Sequence, residues 1–280
     1  MQNNPPAFLL LPRYTLVQAA EQGAVLVTAN RRLARTLKRE FDAAQQAAGR
    51  QAWATPDILP WSAWLERFHD GAAHAASDGL LPRLLSPLQE QALWERIVGE
   101  SEAGAALLQV PATSALCREA WALAHEWELI PALRSYPLSD DGRAFLAWTD
   151  RYRAECRGLD ATDGARLAAL IAESMTEERI QVPARVVACG FDRLTPAQAR
   201  LLSALKKRGA DVSLLDQLQG SARAVRVSFP AMEQEIVAAA SWARSRLEAR
   251  PQARIGIVAP DLAATRSRIL RAFGAVMTPA

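Results

Sequence analysis

Residues 23–50, GAVLVTANRRLARTLKREFDAAQQAAGR, decide the fold class. The apolar run Ala24-Val25-Leu26-Val27 breaks at Thr28-Ala29-Asn30 and gives way to a basic, amphipathic segment. A short apolar run stopped by a polar turn predicts a buried strand, and the segment after it predicts a helix. Leu33, Leu37 and Phe41 recur every four residues and aim one stripe at a core. Arg31, Arg32, Arg35, Lys38 and Arg39 occupy much of the rest. The helix N-terminus carries free backbone N–H groups and points at an anion. The unit therefore holds a nucleotide, a nucleic acid, or only the core of the fold.

Upstream, Leu9-Leu10-Leu11 ends at Pro12, and a helix-like patch runs from Thr15 to Glu21. Downstream, residues 51–55 (QAWAT) read as a second short strand stopped by Pro56. Pro60 then opens a helix carrying Trp61, Trp64, Leu65 and Phe68 at helical spacing. Strand, basic helix, strand, helix is the opening of an α/β domain.

At Ser86 the pattern changes. Ser86-Pro87-Leu88-Gln89 is a capping box with proline at the first helical position. Helical stripes follow through Leu93, Trp94, Ile97 and Val98, then within residues 116–127, 145–156 and 167–175. No strand signal interrupts them, so residues 86–180 read as an all-helical module. Strand patterning returns at residues 185–190 (RVVACG). Thr195-Pro196-Ala197-Gln198 repeats the capping box, and residues 211–216 (DVSLLD) form the next strand. Beyond a polar joint, residues 224–229, 233–248, 254–259 and 260–273 alternate strand and helix again. They predict the start of a second α/β domain. The expected divisions are 1–85, 86–180, 181–220 and 221–280.

The 280 residues are half apolar and 22% charged, ordinary for a globular chain of more than one domain. No apolar run approaches the roughly 20 residues of a membrane span. No basic-then-hydrophobic N-terminus announces secretion. Cys117, Cys156 and Cys189 are far apart, odd in number and in no metal spacing, as in a reducing compartment. A cytoplasmic location without a membrane partner is expected. The net charge of +3 hides a pattern: residues 1–50 sum to +4, 51–85 to −2, 86–180 to −7 and 181–280 to +8. An acidic middle between basic arms fits an inserted domain between two halves that face a polyanion.

Catalytic patterns are missing from the sequence. There is no GxxxxGK[ST], no Gly-Lys pair and no GxGxxG after a strand. His69, His74 and His125 fit no metal spacing, and neither HExxH nor GxSxG occurs. Asp140-Asp141 and Glu177-Glu178 read as solvated charge. No metal, no cofactor and no catalytic residue is expected within these residues.

The order of these segments resembles the N-terminal part of the AddB-type helicase–nuclease subunits. It is closer still to the bacterial DNA repair proteins with a PD-(D/E)xK nuclease domain. The resemblance covers nearly the whole chain. It is carried by VLVTANRRLARTLKREF, WATPDILPWSAWLERF, LLSPLQEQALWERIV, CREAWALAHEWEL, ACGFDRLTPAQARLLSAL and EQEIVAAASWARSRLEARPQARIGIVAPDL. It implies a RecA-like domain of the superfamily 1 helicase type, split by a helical insertion, followed by the start of a second RecA-like domain. Thr28 and Asn30 match the Thr-Asn pair of a motif that grips single-stranded DNA, and Thr55 matches the threonine of the next DNA-contacting motif.

The catalytic positions depart from that family. Where a phosphate loop should precede the strand at Ala24, only the loop-like residues 14–23 stand. The Asp-Glu pair that holds magnesium falls on Cys189-Gly190, and an expected arginine falls on Pro260. Neither Cys nor Gly coordinates Mg²⁺ as a carboxylate does. The resemblance thus implies a degenerate nucleotide site and no ATP turnover, with nuclease residues expected beyond residue 280 in a longer protein.

The expected function is non-catalytic DNA binding, single-stranded, within a repair or recombination nuclease. The candidate contacts are Thr28, Asn30, Arg31, Arg32, Arg35, Thr55 and Trp64. The arginines would meet phosphates, and Trp61 or Trp64 would stack on bases if exposed. A helicase–nuclease partner subunit is the second expected partner. Two alternatives stand beside this reading. One is an active DNA-dependent motor with an unusual phosphate site. The other is a protein-interaction scaffold in which Glu95, Glu119 and Glu126 of the acidic module dock a partner.

Overall fold

The computed structural model describes residues 8–75, 81–175, 182–215 and 224–278. The chain divides into two compact units, residues 1–218 and 219–280. That division, and the one expected at 220/221, lie outside the described residues.

The first unit is built on a five-stranded parallel sheet. In chain order its strands are β1 (Leu9–Leu11), β2 (Val25–Thr28), β3 (Ile58–Pro60), β6 (Arg185–Cys189) and β7 (Asp211–Leu215), and across the sheet they run β1-β7-β6-β2-β3. Helices cover both faces, as an all-parallel sheet requires. One layer is α1 (Leu16–Glu21) and α2 (Arg31–Ala47), whose Leu16, Ala34, Leu37 and Phe41 pack on Leu26, Ile58 and Val187. The other is α3 (Trp61–Ala75), α9 (Leu167–Ser174) and α10 (Pro196–Lys207). Its Trp64, Leu65, Ile171, Leu201 and Leu205 pack on Val25, Val27, Val186 and Ala188. The alternation Val186/Val187/Ala188/Cys189 between the two cores is the period-two rule of a strand.

Several boundaries differ from expectation. Leu9-Leu10-Leu11 is a strand, paired through Leu9↔Ser213 to Leu11↔Leu215. Residues 51–55 are not: the strand begins at Ile58, after Pro56, because proline offers no ladder donor. Residues 14–23 are not a loop; a 3-10 turn, Arg13–Thr15, leads into α1, which Gly23 closes at φ 81°. Both capping boxes are present. The Ser86 and Thr195 hydroxyls accept from the N–H groups of Gln89 and Gln198, whose side chains accept from the caps' own N–H groups.

Between β3 and β6 stands a helical region: α4 (Pro87–Gly99), α5 (Glu102–Ala105), α6 (Val110–Glu126), α7 (Ile130–Ser135) and α8 (Asp140–Gly158). Its core stacks Trp94 on Tyr152 at 4.4 Å, with Trp121 edge-on to both. One strand, at residues 161–162, does interrupt the expected all-helical span. Short strands β4 (Arg83–Leu84) and β5 (Ala161–Thr162) pair in parallel where the chain enters and leaves, so the two ends are clasped together. The helix expected to complete the module, α9, lies in the core of the main sheet instead, because Leu167, Ile171 and Met175 pack with Trp64 and Leu202.

The side chain after β5 is the keystone. Asp163 is fully buried; it accepts from the Arg166 backbone N–H at 3.0 Å, from Arg166 Nε at 2.8 Å and from Trp121 Nε1 at 3.2 Å. It thereby joins α6 of the helical region to the start of α9 on the sheet.

His125, in the last turn of α6, lies edge-on to Trp121 at 4.0 Å, its Nε2 buried and, among the described residues, without a hydrogen-bond partner. Burial first, with Arg166, Arg153 and Arg200 adding to it against the pull of Asp163, pushes its pKa from 6.5 down to about 4. The unfolded chain therefore binds the extra proton first. The neutral ring's contribution is complete above about pH 6.5 and is lost as the pH falls towards 4. His125→Gln is expected to narrow the gap between urea midpoints measured at neutral and mildly acidic pH.

In the second unit, α11 (Met232–Ala249) packs on α12 (Leu262–Met277), burying Ala240 and Ala243. Residues 224–229 and 254–259, expected as strands, form no ladder. A strand needs a neighbour to pair its backbone groups, and among the described residues none pairs with them. No described helix is long and apolar enough to cross a membrane.

Candidate nucleic-acid interface

All five strands end on one edge of the sheet, and the candidate interface lies along that edge. β2 and β6 are neighbours, yet their following helices, α2 and α10, pack on opposite faces. In open α/β sheets the crevice outside such a switch point is where ligands bind. Here it is lined by Thr28-Ala29-Asn30 on one side and Cys189-Gly190 on the other, held together by the Ala29 N–H donating to the Cys189 carbonyl at 3.0 Å.

The expected residues fall into two groups. Asn30 is exposed and caps α2, its Oδ1 accepting from the Leu33 N–H at 2.9 Å. Arg31, Arg32 and Arg35 follow on the exposed face, with Arg39 continuing the stripe. These stand together at the switch point. Among the described residues, the guanidinium groups of Arg31, Arg32 and Arg35 make no ion pair or hydrogen bond, and no acidic residue lies in the first turn of α2.

Thr28, Trp64 and Thr55 are placed otherwise. Thr28 is fully buried, and its hydroxyl donates to the Asn30 carbonyl at 2.9 Å, so it shapes the turn and touches nothing outside. Trp64 is 1% exposed, walled by Trp61 at 5.4 Å and Phe68 at 5.9 Å; its ring cannot stack on a base. Thr55 is exposed but precedes β3, at the opposite edge of the sheet, because the strand starts after Pro56. It is not part of this cluster.

The ring that does reach the edge is Trp61, the half-buried first residue of α3, which meets Phe191 of the β6–α10 loop edge-on at 5.9 Å. Phe191 and Arg193, whose guanidinium lies 5.3 Å from the Trp127 ring, are additions that the sequence reading missed. Their only sequence signal was a place just after a strand.

At the end of β6 the crevice offers a thiol and a glycine. Cys189 is buried, its thiol pushed up to about 12 by burial. Gly190 has φ 72° and lies so near α2 that a Cβ would stand 2.4 Å from Leu33 Cδ2. Gly190→Ala should cost about 1–2 kcal/mol from the left-handed backbone alone, read as a lowered urea midpoint. The β1–α1 junction is the other strand-to-helix turn where a phosphate loop would sit. It contains no glycine; Thr15 folds onto the Pro12 carbonyl at 2.7 Å, and Arg13 is paired with both oxygens of Glu40 at 2.7 and 3.0 Å. Among the described residues no three His, Cys, Asp or Glu side chains gather in a metal-binding group.

No protein-family model matches this chain, and no curated protein is significantly similar to it.

Proposed function

We propose that these residues form a helicase-like, catalytically silent, DNA-binding region of a DNA repair or recombination nuclease. In this reading the parallel sheet is a degenerate RecA-like domain, the helical region between β3 and β6 is its insertion, and the second unit begins another RecA-like domain. A helicase–nuclease subunit as partner and a cytoplasmic setting belong to the same reading.

The observation that carries it is the set of unpaired arginines at the start of α2. Cations in the first turn oppose the helix dipole, each at a cost of about 0.3–1 kcal/mol. No acidic residue in the first turn of α2 offsets that cost. A phosphate at the same place would be held by the dipole, the free N–H groups and the guanidinium groups together. Such contacts are indifferent to sequence and sensitive to salt. Trp61 supplies a ring for stacking at the same edge. The missing carboxylates at Cys189-Gly190 and the closed β1–α1 turn favour binding over ATP-driven movement.

Filter binding to a single-stranded 30-mer tests this. Three phosphate contacts give a log–log salt slope near −2, so a fourfold rise in salt should weaken binding roughly 20-fold. Arg31→Ala, Arg32→Ala and Arg35→Ala together should flatten that slope. Salt-independent binding, or a triple variant with an unchanged slope, would sink the proposal.

A further inference from the structure

A cavity of about 290 Å³ opens where the helical region meets α3. Leu85 and Trp121, both buried, give it apolar surface. Four charged side chains also line it: Glu66 of α3, Glu90 of α4, and Arg118 and Glu119 of α6. Ligand pockets run from about 300 to 1,000 Å³, so this one suits a ligand no larger than an amino acid.

Opposite charges that share a cavity normally pair, and this molecule pairs other arginines readily. Arg96 meets Glu155 at 2.9 Å and Arg67 meets Asp57 at 2.7 Å. Here the charges stay apart. Among the described residues, Arg118, Glu66 and Glu119 make no hydrogen bond or ion pair. Arg118 Nε is buried and, among the same residues, without an acceptor. Glu90 is in no ion pair either; its Oε1 accepts from the Gly164 N–H at 3.0 Å. Burial first, with Asp163 adding to it, raises the Glu90 pKa above its usual 4.5, against that hydrogen bond, Arg118 and Arg166. A carboxyl so placed gains from a cation, as Arg118 gains from an acceptor.

We propose that this cavity binds a basic α-amino acid, with its carboxylate on Arg118, its α-ammonium on Glu90 and its side-chain cation between Glu66 and Glu119. Three carboxylates and one guanidinium complement a ligand that carries two cations and one anion. Glu66 and Glu119 are exposed and stand where the longer arm of such a ligand would leave the cavity. The site is separate from the arginines of α2, since α3 and α2 cover opposite faces of the sheet. Binding here is therefore independent of DNA binding there.

Isothermal titration of the full chain with L-lysine and with L-arginine tests this. At least one should bind, and roughly tenfold or more tighter than probes that each lack one charge. Those probes are the decarboxylated amine (cadaverine or agmatine), the Nα-acetyl amino acid, and L-norleucine. Arg118→Ala should erase the preference over the decarboxylated amine. Glu90→Gln, which keeps an acceptor for Gly164, should erase the preference over the acetylated form. Neither variant should lower Tm appreciably, because neither side chain is ion-paired. No heat with either amino acid would overturn the proposal. So would equal binding of the amine, or an Arg118→Ala variant that keeps its preference. Equal binding of the acetylated form would overturn it too, and would point to the basic C-terminus of a polypeptide.

Discussion

Asp163→Ala is expected to destabilise the first unit by about 3–5 kcal/mol, the usual consequence of removing one partner of a buried ion pair. Three donors lose their acceptor at once: the Arg166 backbone N–H, Arg166 Nε and Trp121 Nε1. The Arg166 side chain is only 20% exposed, so water cannot fully replace the carboxylate. The loss also severs the link between α6 and the start of α9, next to the β4–β5 clasp. Thermal melts should show it as a fall in Tm of roughly 10 °C or more. Near-UV circular dichroism should change as well, because Trp121 packs against Trp94 and Tyr152. Asp163→Asn keeps the shape and some of the acceptors, and should fall between the two. A Tm within the scatter of the parent would show that Asp163 does not hold the helical region to the sheet.

This keystone was invisible in the sequence. Asp163 sits in a stretch that reads as one more polar turn, and only the pairing of Arg83 with Ala161 brings it against α6. The strands β2, β6 and β7 were legible because each is an apolar run between turn signals, and both capping boxes were legible because four local residues make them. β1 was missed because three leucines before a proline carry no period. Residues 51–55 read as a short strand stopped by Pro56, yet Trp53 lies in no ladder. Its ring is instead tied to α2, with Nε1 donating to Asp42 at 2.8 Å. Of the candidate site, the exposed half of α2 was legible, since Leu33, Leu37 and Phe41 define the buried half. The burial of Thr28 and Trp64 depends on contacts across the sheet that helical or strand spacing cannot show.

Arg31→Glu combined with Arg32→Glu should move stability and binding in opposite directions. Both residues lie in the first turn of α2, where a cation opposes the helix dipole and an anion complements it. Exchanging two unfavourable charges for two favourable ones should raise stability by about 1–3 kcal/mol. The same exchange places two carboxylates where phosphates would dock, so affinity for a single-stranded 30-mer should drop by roughly 100-fold or more at low salt. A purely solvated face would show the gain in stability with no change in binding, and DNA contact at α2 would then be wrong. A loss of stability would show instead that the arginines make native contacts. Only a more stable protein that has lost its DNA fits a surface at which folding and polyanion binding make opposite demands on the same two side chains.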